Sequence, residues 1–124
     1  MGIRRIVVTQ RASETDEWYF NMPQMPHRMP ELPQYIKENF VNTGLLTRSF
    51  LFQVPPNDLR RITVWEWPDQ QAHDAWYADP KIQEYEQSRI DFYAGQPGVN
   101  VVFDQIESTD IEFNSADYYY RDFG

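Results

Sequence analysis

Short runs rich in β-branched and aromatic residues recur along the chain. Their length and composition are typical of β-strands. The runs are IRRIVVTQR at 3–11, LLTRSFLFQV at 45–54, RRITVWEW at 60–67 and VNVVFDQIE at 99–107. Residues 55–58, PPND, separate the second run from the third and predict a turn. The second and third runs are therefore expected to form a hairpin.

Two stretches between these runs have apolar residues at helical spacing. The first, ELPQYIKENFVNT at 31–43, ends before Gly44, which is a common residue after a helix terminus. The second extends from 69 to 94. Proline disfavours helix in the residue before it, so the Asp79-Pro80 step predicts a break or kink there.

The resulting order is β-α-β-β-α-β, which predicts a ferredoxin-like α+β fold. Right-handed crossovers place both helices on one face of a four-stranded antiparallel sheet. Residues 1–107 form this domain, and a long proline-rich loop at 12–30 is inserted in it. Residues 17–21 are a candidate for a short extra strand, and 108–124 form an acidic, tyrosine-rich tail.

The predicted strands are apolar on both faces. In the third strand, Ile62 and Val64 alternate with Trp65 and Trp67. The same alternation sets Phe50 and Phe52 against Leu51, and Val99, Val101 and Phe103 against Val102 and Ile106. The helices cover only one face, and monomers rarely leave a large apolar patch in water. The pattern therefore predicts a homodimer packed through the other sheet face, with the tail as an alternative cover.

Charge and composition exclude several classes of function. The chain of 124 residues carries a net charge of −8, which disfavours contact with nucleic acid. It has no basic amphipathic helix for an anionic membrane and no apolar run long enough to span one. The absence of cysteine excludes disulfides and thiolate chemistry, and fits a cytoplasmic protein. The two histidines have no recognised metal-ligand spacing, so no metal site is predicted.

The segment ITVWEWPDQQAHDAWYADPKIQEY at 62–85 resembles the antibiotic biosynthesis monooxygenase group of the dimeric α/β-barrel superfamily. That group has a strand ending in an acid and an aromatic, a polar turn, an alanine, an aromatic, an Asp-Pro step and an amphipathic helix. The matching positions are Glu66, Trp67, Ala72, Trp76, Ala78, Asp79-Pro80 and Ile82 to Tyr85. The resemblance implies a ligand cleft between the sheet and the second helix.

Two branches of this family imply different chemistry. Trp67 matches a tryptophan of the cofactor-independent, quinone-forming oxygenases, whereas their asparagine and tyrosine fall on Thr63 and His73. In the haem-degrading branch the first-strand asparagine corresponds to Gln10, and its tryptophan to Trp76. The haem-ligand histidine of that branch falls on Tyr85 or Glu86. No cofactor is therefore predicted, although tyrosine can ligate haem iron and haem stays an alternative.

Several residues are candidates for the site, and each of them also has a structural explanation. His73 is either a proton carrier, because an unperturbed histidine titrates near neutrality, or a surface histidine without a function in the site. Trp65, Trp67 and Trp76 either stack on a flat ligand or fill the core. Arg89 either meets an anionic ligand group or pairs with Glu86.

Glu66 lies on the strand face opposite the tryptophans. It is either a carboxylate base or, as we expect, a buried partner of a basic residue such as Arg48. Three functions follow: a cofactor-independent oxygenase acting on a flat aromatic or quinone-like molecule, a non-catalytic module that binds a small ligand or haem, and a structural dimer.

Overall fold

A computed structural model describes residues 2–19, 29–53 and 59–109, and the side chains of Phe50, Phe52, Gln53 and Thr109 lie outside the description. The strands are β1 (Gly2–Arg11), β2 (Arg48–Gln53), β3 (Arg60–Trp67) and β4 (Val99–Thr109). The helices are α1 (Leu32–Ile36), continued by a π-helical turn at Lys37–Val41, α2 (Gln70–Ala78) and α3 (Pro80–Ala94). The strands form one antiparallel sheet in the order β2-β3-β1-β4. The predicted ferredoxin-like fold is confirmed.

The parts of the prediction that fall on 20–28, 54–58 and 110–124 lie outside the described residues. These parts are most of the inserted loop, the hairpin turn and nearly all of the tail. Residues 17–19 do not form the start of an extra strand, and β4 continues two residues past its predicted end at 107.

The first helix is shorter than predicted and widens after one turn. Leu32, Ile36 and Phe40 are all buried and stand four residues apart. Four residues overshoot a 3.6-residue turn, so a regular helix would rotate the third side chain away from the core. The wider π-helical turn corrects this drift and keeps Phe40 on the buried face.

The segment after this helix explains why β2 begins at Arg48 rather than at 45. Gly44 adopts a positive φ of 76°, which reverses the chain direction. The amide of Leu46 then donates to the carbonyl of Phe40, so it closes the helix end instead of joining the sheet. Sheet pairing starts with the Thr47 amide, which donates to the carbonyl of Glu66.

The predicted helix break is confirmed at Asp79-Pro80. Asp79 has extended backbone angles, and its Oδ1 accepts hydrogen bonds from the amides of Lys81 (2.8 Å) and Ile82 (3.1 Å). Pro80 occupies the first position of α3, where its missing amide donor has no cost. One residue therefore ends α2 and caps α3, and the two helices cover different parts of the sheet.

A bulge in β4 changes the predicted face of Phe103. Val8 pairs with Phe103 but the next residue, Thr9, pairs with Val101, so one residue of β4 is left over. Cross-strand partners lie on the same face of a sheet. Phe103 therefore lies on the face of Val8, whereas Val101 lies on the other face, with Thr9. The simple alternation expected from the sequence is wrong at this point because it ignores the extra residue.

The core lies between the helices and the sheet face that carries Trp65 and Trp67. Its buried apolar members are Ile3, Tyr19, Met29, Leu32, Ile36, Phe40, Leu46, Trp65, Trp67, Ala72, Trp76, Ile82 and Tyr85. Each large side chain buried in this way stabilises the fold by about 1.5–3 kcal/mol.

The opposite sheet face has a buried ion cluster around Glu66. The Glu66 carboxylate accepts from Arg4 Nε at 2.8 Å and lies 2.9 Å from Arg48 Nε. Glu66 and Arg48 are 5% and 6% exposed. The structural alternative for Glu66, a buried partner of Arg48, is therefore present. Ile6, Val8, Ile62 and Val64 are half-buried on the same face.

Candidate functional site

A cavity of about 60 Å³ lies between the sheet and α3. Its floor comes from β1, β2 and β3, its roof from α3, and one wall from the loop that follows β1. The lining residues are Arg5, Val7, Thr9, Trp18, Leu51, Arg61, Thr63, Trp65, Tyr85, Glu86, Arg89 and Tyr93. The volume corresponds to a few water molecules.

Register explains which strand residues reach the cavity. Thr63 pairs with Val7, and Trp65 pairs with Arg5, so alternate residues of β1 and β3 share this face. The roof follows helical spacing, because Tyr85, Arg89 and Tyr93 are separated by four residues each. Aromatic rings therefore meet the cavity from the floor and from the roof.

Three guanidinium groups line the cavity, against one carboxylate. Arg5 and Arg61 come from the floor, while Arg89 and Glu86 come from the roof. The lining side chains are more cationic than the chain as a whole, whose net charge is −8. A cavity with this lining favours an anionic ligand over a neutral one.

Arg5 is held by two elements outside the cavity. Its Nε and Nη2 donate to the two carboxylate oxygens of Asp104, at 2.9 and 2.8 Å, and its Nη1 donates to the hydroxyl of Tyr77. The hydrogen bond from Arg5 holds the pKa of Asp104 below its ordinary value. That bond, against burial, also raises the pKa of Arg5, so the guanidinium is charged at any working pH.

The roof contributes a second ion pair. Arg89 Nη2 donates to Glu86 Oε2 at 2.7 Å, which is the pair that the helical spacing predicted. Burial lowers the pKa of Arg89, but the charges of Glu86 and Tyr85 more than offset this and leave the pKa above its ordinary value. Arg89 therefore both pairs with Glu86 and lines the cavity.

Trp18 forms the wall that the loop supplies. Two guanidinium groups lie against its ring: the ring centroid is 4.7 Å from the guanidinium carbon of Arg61 and 5.0 Å from that of Arg11. Hydrogen bonds fix the loop on both sides of Trp18. The Glu17 amide donates to the side chain of Gln96 at 2.6 Å, and the Tyr19 amide donates to the hydroxyl of Tyr93 at 2.8 Å.

Four of the residues predicted from the sequence line this cavity, namely Thr63, Trp65, Tyr85 and Arg89. Gln10 does not line it: its side chain is exposed and accepts a hydrogen bond from Arg60 at 2.7 Å. Trp67, His73 and Trp76 do not line the cavity. Together with Tyr77 they form a group of rings under α2, which we call the ring cluster and which meets the cavity lining where the ring of Trp76 lies 5.0 Å from that of Trp65.

The ring cluster is closely packed. The His73 ring lies 4.9 Å from the rings of both Trp67 and Tyr77, and the Trp67 ring lies 6.0 Å from that of Trp76. His73 Nδ1 lies 3.0 Å from the carboxylate of Asp74. The interaction with His73 lowers the pKa of Asp74. His73 Nε2 and Trp67 Nε1 are buried and have no hydrogen-bond partner within the described residues.

Sequence reasoning missed Arg5, Trp18, Arg61 and Tyr93. A signal existed for Arg61, because alternation along β3 places residue 61 on the face of Trp65 and residue 60 on the other. Tyr93 likewise continues the four-residue spacing of Tyr85 and Arg89. No local pattern indicates Trp18, whose position depends on how the loop folds back.

Two further observations concern metal binding and membrane spanning. No group of three or more histidine, aspartate or glutamate side chains is placed to hold a metal ion within the described ranges. None of the helices in those ranges is both long and apolar enough to cross a membrane.

Comparison with known proteins shows the fold. No protein-family model and no curated protein matches the chain. One similar solved structure is SnoaB, a cofactor-independent oxygenase from Streptomyces nogalater, with a TM-score of 0.55 and 9% identity over 90% of this chain and 95% of the other. Another is a dimeric ferredoxin-like protein from an uncultured marine organism, with a TM-score of 0.54 and 9% identity over 90% and 98%. The chain therefore has the ferredoxin-like fold of these proteins, as the resemblance of residues 62–85 implied.

Proposed function

We propose that the protein is a cofactor-independent, monooxygenase-like enzyme that acts on the anion of a small, flat aromatic molecule. The observation that carries this proposal is the cavity under α3, where aromatic rings and three guanidinium groups line the same space. The rings match the faces of a planar ligand, and the guanidinium groups stabilise its anion. The fold shared with SnoaB supports the same chemistry.

The reaction needs no electron carrier besides the substrate. A phenol that loses its proton becomes electron-rich, and the phenolate passes one electron to O₂. The resulting superoxide joins the ring carbon, and loss of water leaves a quinone. Phenol plus O₂ gives quinone plus water, so one oxygen atom enters the product and the other leaves as water. The role of the protein is to hold the anion and exclude bulk water.

Tyr85 is the proton carrier that we favour at this site. It is 4% exposed, lines the cavity from the roof and lies within the same helical face as Arg89. Histidine is a common proton carrier, but His73 belongs to the ring cluster rather than to the cavity lining. The two assignments are separable by mutation, because Tyr85→Phe and His73→Gln each remove one carrier.

Haem binding has weaker support. Gln10, the position that corresponds to the asparagine of haem-degrading relatives, does not line this space. A titration monitored at the Soret band tests this alternative directly.

We further propose that the protein assembles as a homodimer through the open sheet face and β4. Phe103 lies on the open face with Val8 and is 44% exposed, while Val101 and Ile106, on the helix-side face of the same edge strand, are 50% and 54% exposed. Apolar side chains of this edge strand are thus exposed on both faces. The dimeric ferredoxin-like neighbour supports this assembly. Phe103→Glu should convert the dimer to a monomer in sedimentation velocity. Ile90→Glu, at a similarly exposed position on α3, should not.

Oxygen consumption tests the proposed activity. The purified protein is incubated in EDTA with electron-rich phenols of one to three rings, including resorcinol, 1-naphthol and anthrone. We expect uptake of one O₂ per quinone formed and, with ¹⁸O₂, one labelled atom in the product. Tyr85→Phe should lower turnover at least tenfold, whereas His73→Gln should not. Absence of uptake with every phenol would contradict the proposal, and loss only in His73→Gln would move the proton carrier to the ring cluster.

A further inference from the structure

We propose that Gln96 is a positioning residue for the cavity, because its side chain fixes the loop segment that carries Trp18. This segment, which we call the wall segment, consists of residues 12–19 and follows β1. Gln96 does not line the cavity itself, so it acts through Trp18, which does. The role rests on the proposed function, since it concerns the affinity of the same site for a small, flat aromatic anion.

The Gln96 side chain pairs with the backbone of Glu17 through both of its polar atoms. Its Oε1 accepts from the Glu17 amide at 2.6 Å, and its Nε2 donates to the Glu17 carbonyl at 3.0 Å. Two such bonds to one residue reproduce the pairing between neighbouring antiparallel strands. They fix the orientation of the Glu17 backbone as well as its position, and Trp18 is the next residue in the chain.

The core holds the other side of Trp18. Tyr19 is fully buried, its amide donates to the Tyr93 hydroxyl at 2.8 Å, and its own hydroxyl lies 2.6 Å from Oγ of Ser88. Both partners belong to α3, so the helix that roofs the cavity also positions Tyr19. Gln96 is only half-buried, and its contact can therefore be removed without opening the core.

The wall segment also lies against the connection between α3 and β4 near its start. The Ala12 amide donates to the Gly98 carbonyl at 2.9 Å. A Cβ at Gly98 would lie 2.5 Å from Oδ2 of Asp16, so glycine permits this close approach without displacing Asp16. Arg11 Nη1 donates to the Asp16 carbonyl at 2.8 Å. The pairing of Gln96 with residue 17 extends this docking up to Trp18.

Trp18 connects the wall of the cavity with its floor. It is 6% exposed and lines the cavity, and its ring centroid lies 4.7 Å from the guanidinium carbon of Arg61 in the floor. Displacement of Trp18 would remove one wall and weaken this cation–π contact. A wall contacts the ligand before and during a reaction alike, so it contributes to affinity more than to the rate of the chemical step.

Two substitutions at position 96 test this role. Gln96→Leu removes both polar atoms and keeps the approximate size of the side chain. Gln96→Glu keeps an acceptor for the Glu17 amide but loses the donor for the Glu17 carbonyl. Benzoate, a small aromatic anion, is titrated into the full chain and followed by NMR. We expect benzoate to bind at least about fivefold more weakly to Gln96→Leu than to the wild-type protein, and with intermediate affinity to Gln96→Glu.

Hydrogen exchange provides a measurement that needs no ligand. In Gln96→Leu the Glu17 amide loses its acceptor, so its exchange should accelerate at least about tenfold. The Tyr19 amide donates to Tyr93 and should change less. The indole N–H signal of Trp18 should shift in the same variant.

Gln83→Leu is the matched control. Gln83 is an exposed glutamine of α3 whose side chain also bonds to the backbone, donating to the carbonyl of Tyr77 at 3.0 Å. It contacts neither the wall segment nor the cavity, so its benzoate affinity should stay within about twofold of the wild-type value. Thermal unfolding confirms that each variant is folded. If Gln96→Leu does not fold, Gln96→Glu provides the comparison, because it should still bind benzoate more weakly than the wild-type protein.

Kinetics separate a positioning role from a catalytic one. With a phenol that the wild-type protein oxidises, Gln96→Leu should raise KM by about the same factor as the benzoate dissociation constant and change kcat by less than about twofold. Tyr85→Phe should instead lower kcat. A fall in kcat without a change in KM in Gln96→Leu would contradict the positioning role.

The outcomes distinguish the role of Gln96 from the proposed function. Equal benzoate affinities of Gln96→Leu and the wild-type protein would overturn the role of Gln96 and leave the proposed function intact. Equal losses in Gln96→Leu and Gln83→Leu would overturn it too. A wild-type protein that binds benzoate but oxidises no phenol would contradict the proposed activity, while the benzoate affinities would still decide the role of Gln96. Failure of the wild-type protein to bind benzoate at millimolar concentration would count against both.

Discussion

The cavity under α3 and the ring cluster under α2 use the same strand for opposite purposes. Trp65 and Trp67 stand two residues apart on one face of β3, yet Trp65 lines the cavity whereas Trp67 is 1% exposed among other rings. The difference comes from the roof. α2 presents Trp76 and His73, which fill the space above Trp67, while α3 presents Tyr85 and the Arg89–Glu86 pair, which leave a gap.

The comparison teaches that aromatic content does not by itself indicate a ligand site. The ring cluster has the residues that the family resemblance emphasised, but it is filled by its own side chains. The cavity has fewer rings and more charge, and its cations are oriented by Asp104, Glu86 and Trp18. Buried, oriented charge next to unfilled space is the stronger sign of binding.

The largest effect on stability should follow from removing a large side chain from the ring cluster. Trp76 is 1% exposed and its ring centroid lies 4.8 Å from that of Phe40 and 5.0 Å from that of Trp65. Trp76→Ala should lower the free energy of unfolding by about 3–5 kcal/mol in urea denaturation. Thr63→Ala, in the floor of the cavity, should cost less than about 1 kcal/mol. Similar losses in both variants would contradict the distinction between a filled region and an open one.

A medium effect should follow from removing the hydrogen bond that connects the two regions beside the Trp65–Trp76 contact. Tyr77 packs on His73 and Trp67 and accepts a hydrogen bond from Arg5, which lines the cavity. Tyr77→Phe removes that acceptor and should cost about 1–3 kcal/mol, because the Arg5 donor is left unsatisfied. The ring signals of His73 in NMR should also shift.

Tyr93→Phe is the control for this connection. Tyr93 accepts from the amide of Tyr19 and lines the cavity, but it is not part of the ring cluster. We expect a stability loss of the same order without a shift of the His73 signals. A His73 shift in both variants would mean that the two regions are coupled through the whole core rather than through Tyr77.

The smallest effect concerns pH and the Arg5–Asp104 pair. The pKa of Asp104 is lower in the folded protein than the value of about 3.9 in an unfolded chain. The pair therefore stabilises the fold above that value, and its contribution is lost as pH falls through the folded pKa. Between about pH 5 and 3, Asp104→Asn should lose less stability than the wild-type protein. If the free energy of unfolding falls with pH in the same way in both proteins, the pair contributes nothing measurable to stability, which is common for exposed ion pairs.

Much of the fold could be predicted because local rules and tertiary structure agree in it. β3 occupies the predicted residues 60–67, and the Asp79-Pro80 break follows from proline geometry. The Glu66–Arg48 pair followed from placing a charge on a strand face that had to be covered. The drift of α1 and the β4 bulge could not be predicted, because each depends on where distant side chains must be buried.

The site was less predictable than the fold. Thr63 and Tyr85 were candidates because the family resemblance placed functional positions on them, whereas Trp65 and Arg89 followed from strand alternation and helical spacing. Trp18 could not be found, since only the packing of the loop brings it over the sheet.

The most direct test of the cavity as the binding site uses the four tryptophans of the chain. Trp18 and Trp65 line the cavity, whereas Trp67 and Trp76 belong to the ring cluster. Their indole N–H signals are followed by NMR while benzoate is added. We predict the largest shifts for Trp18 and Trp65 and much smaller ones for the other two. Shifts concentrated on Trp67 and Trp76, with Trp18 unmoved, would contradict the account and place binding in the ring cluster.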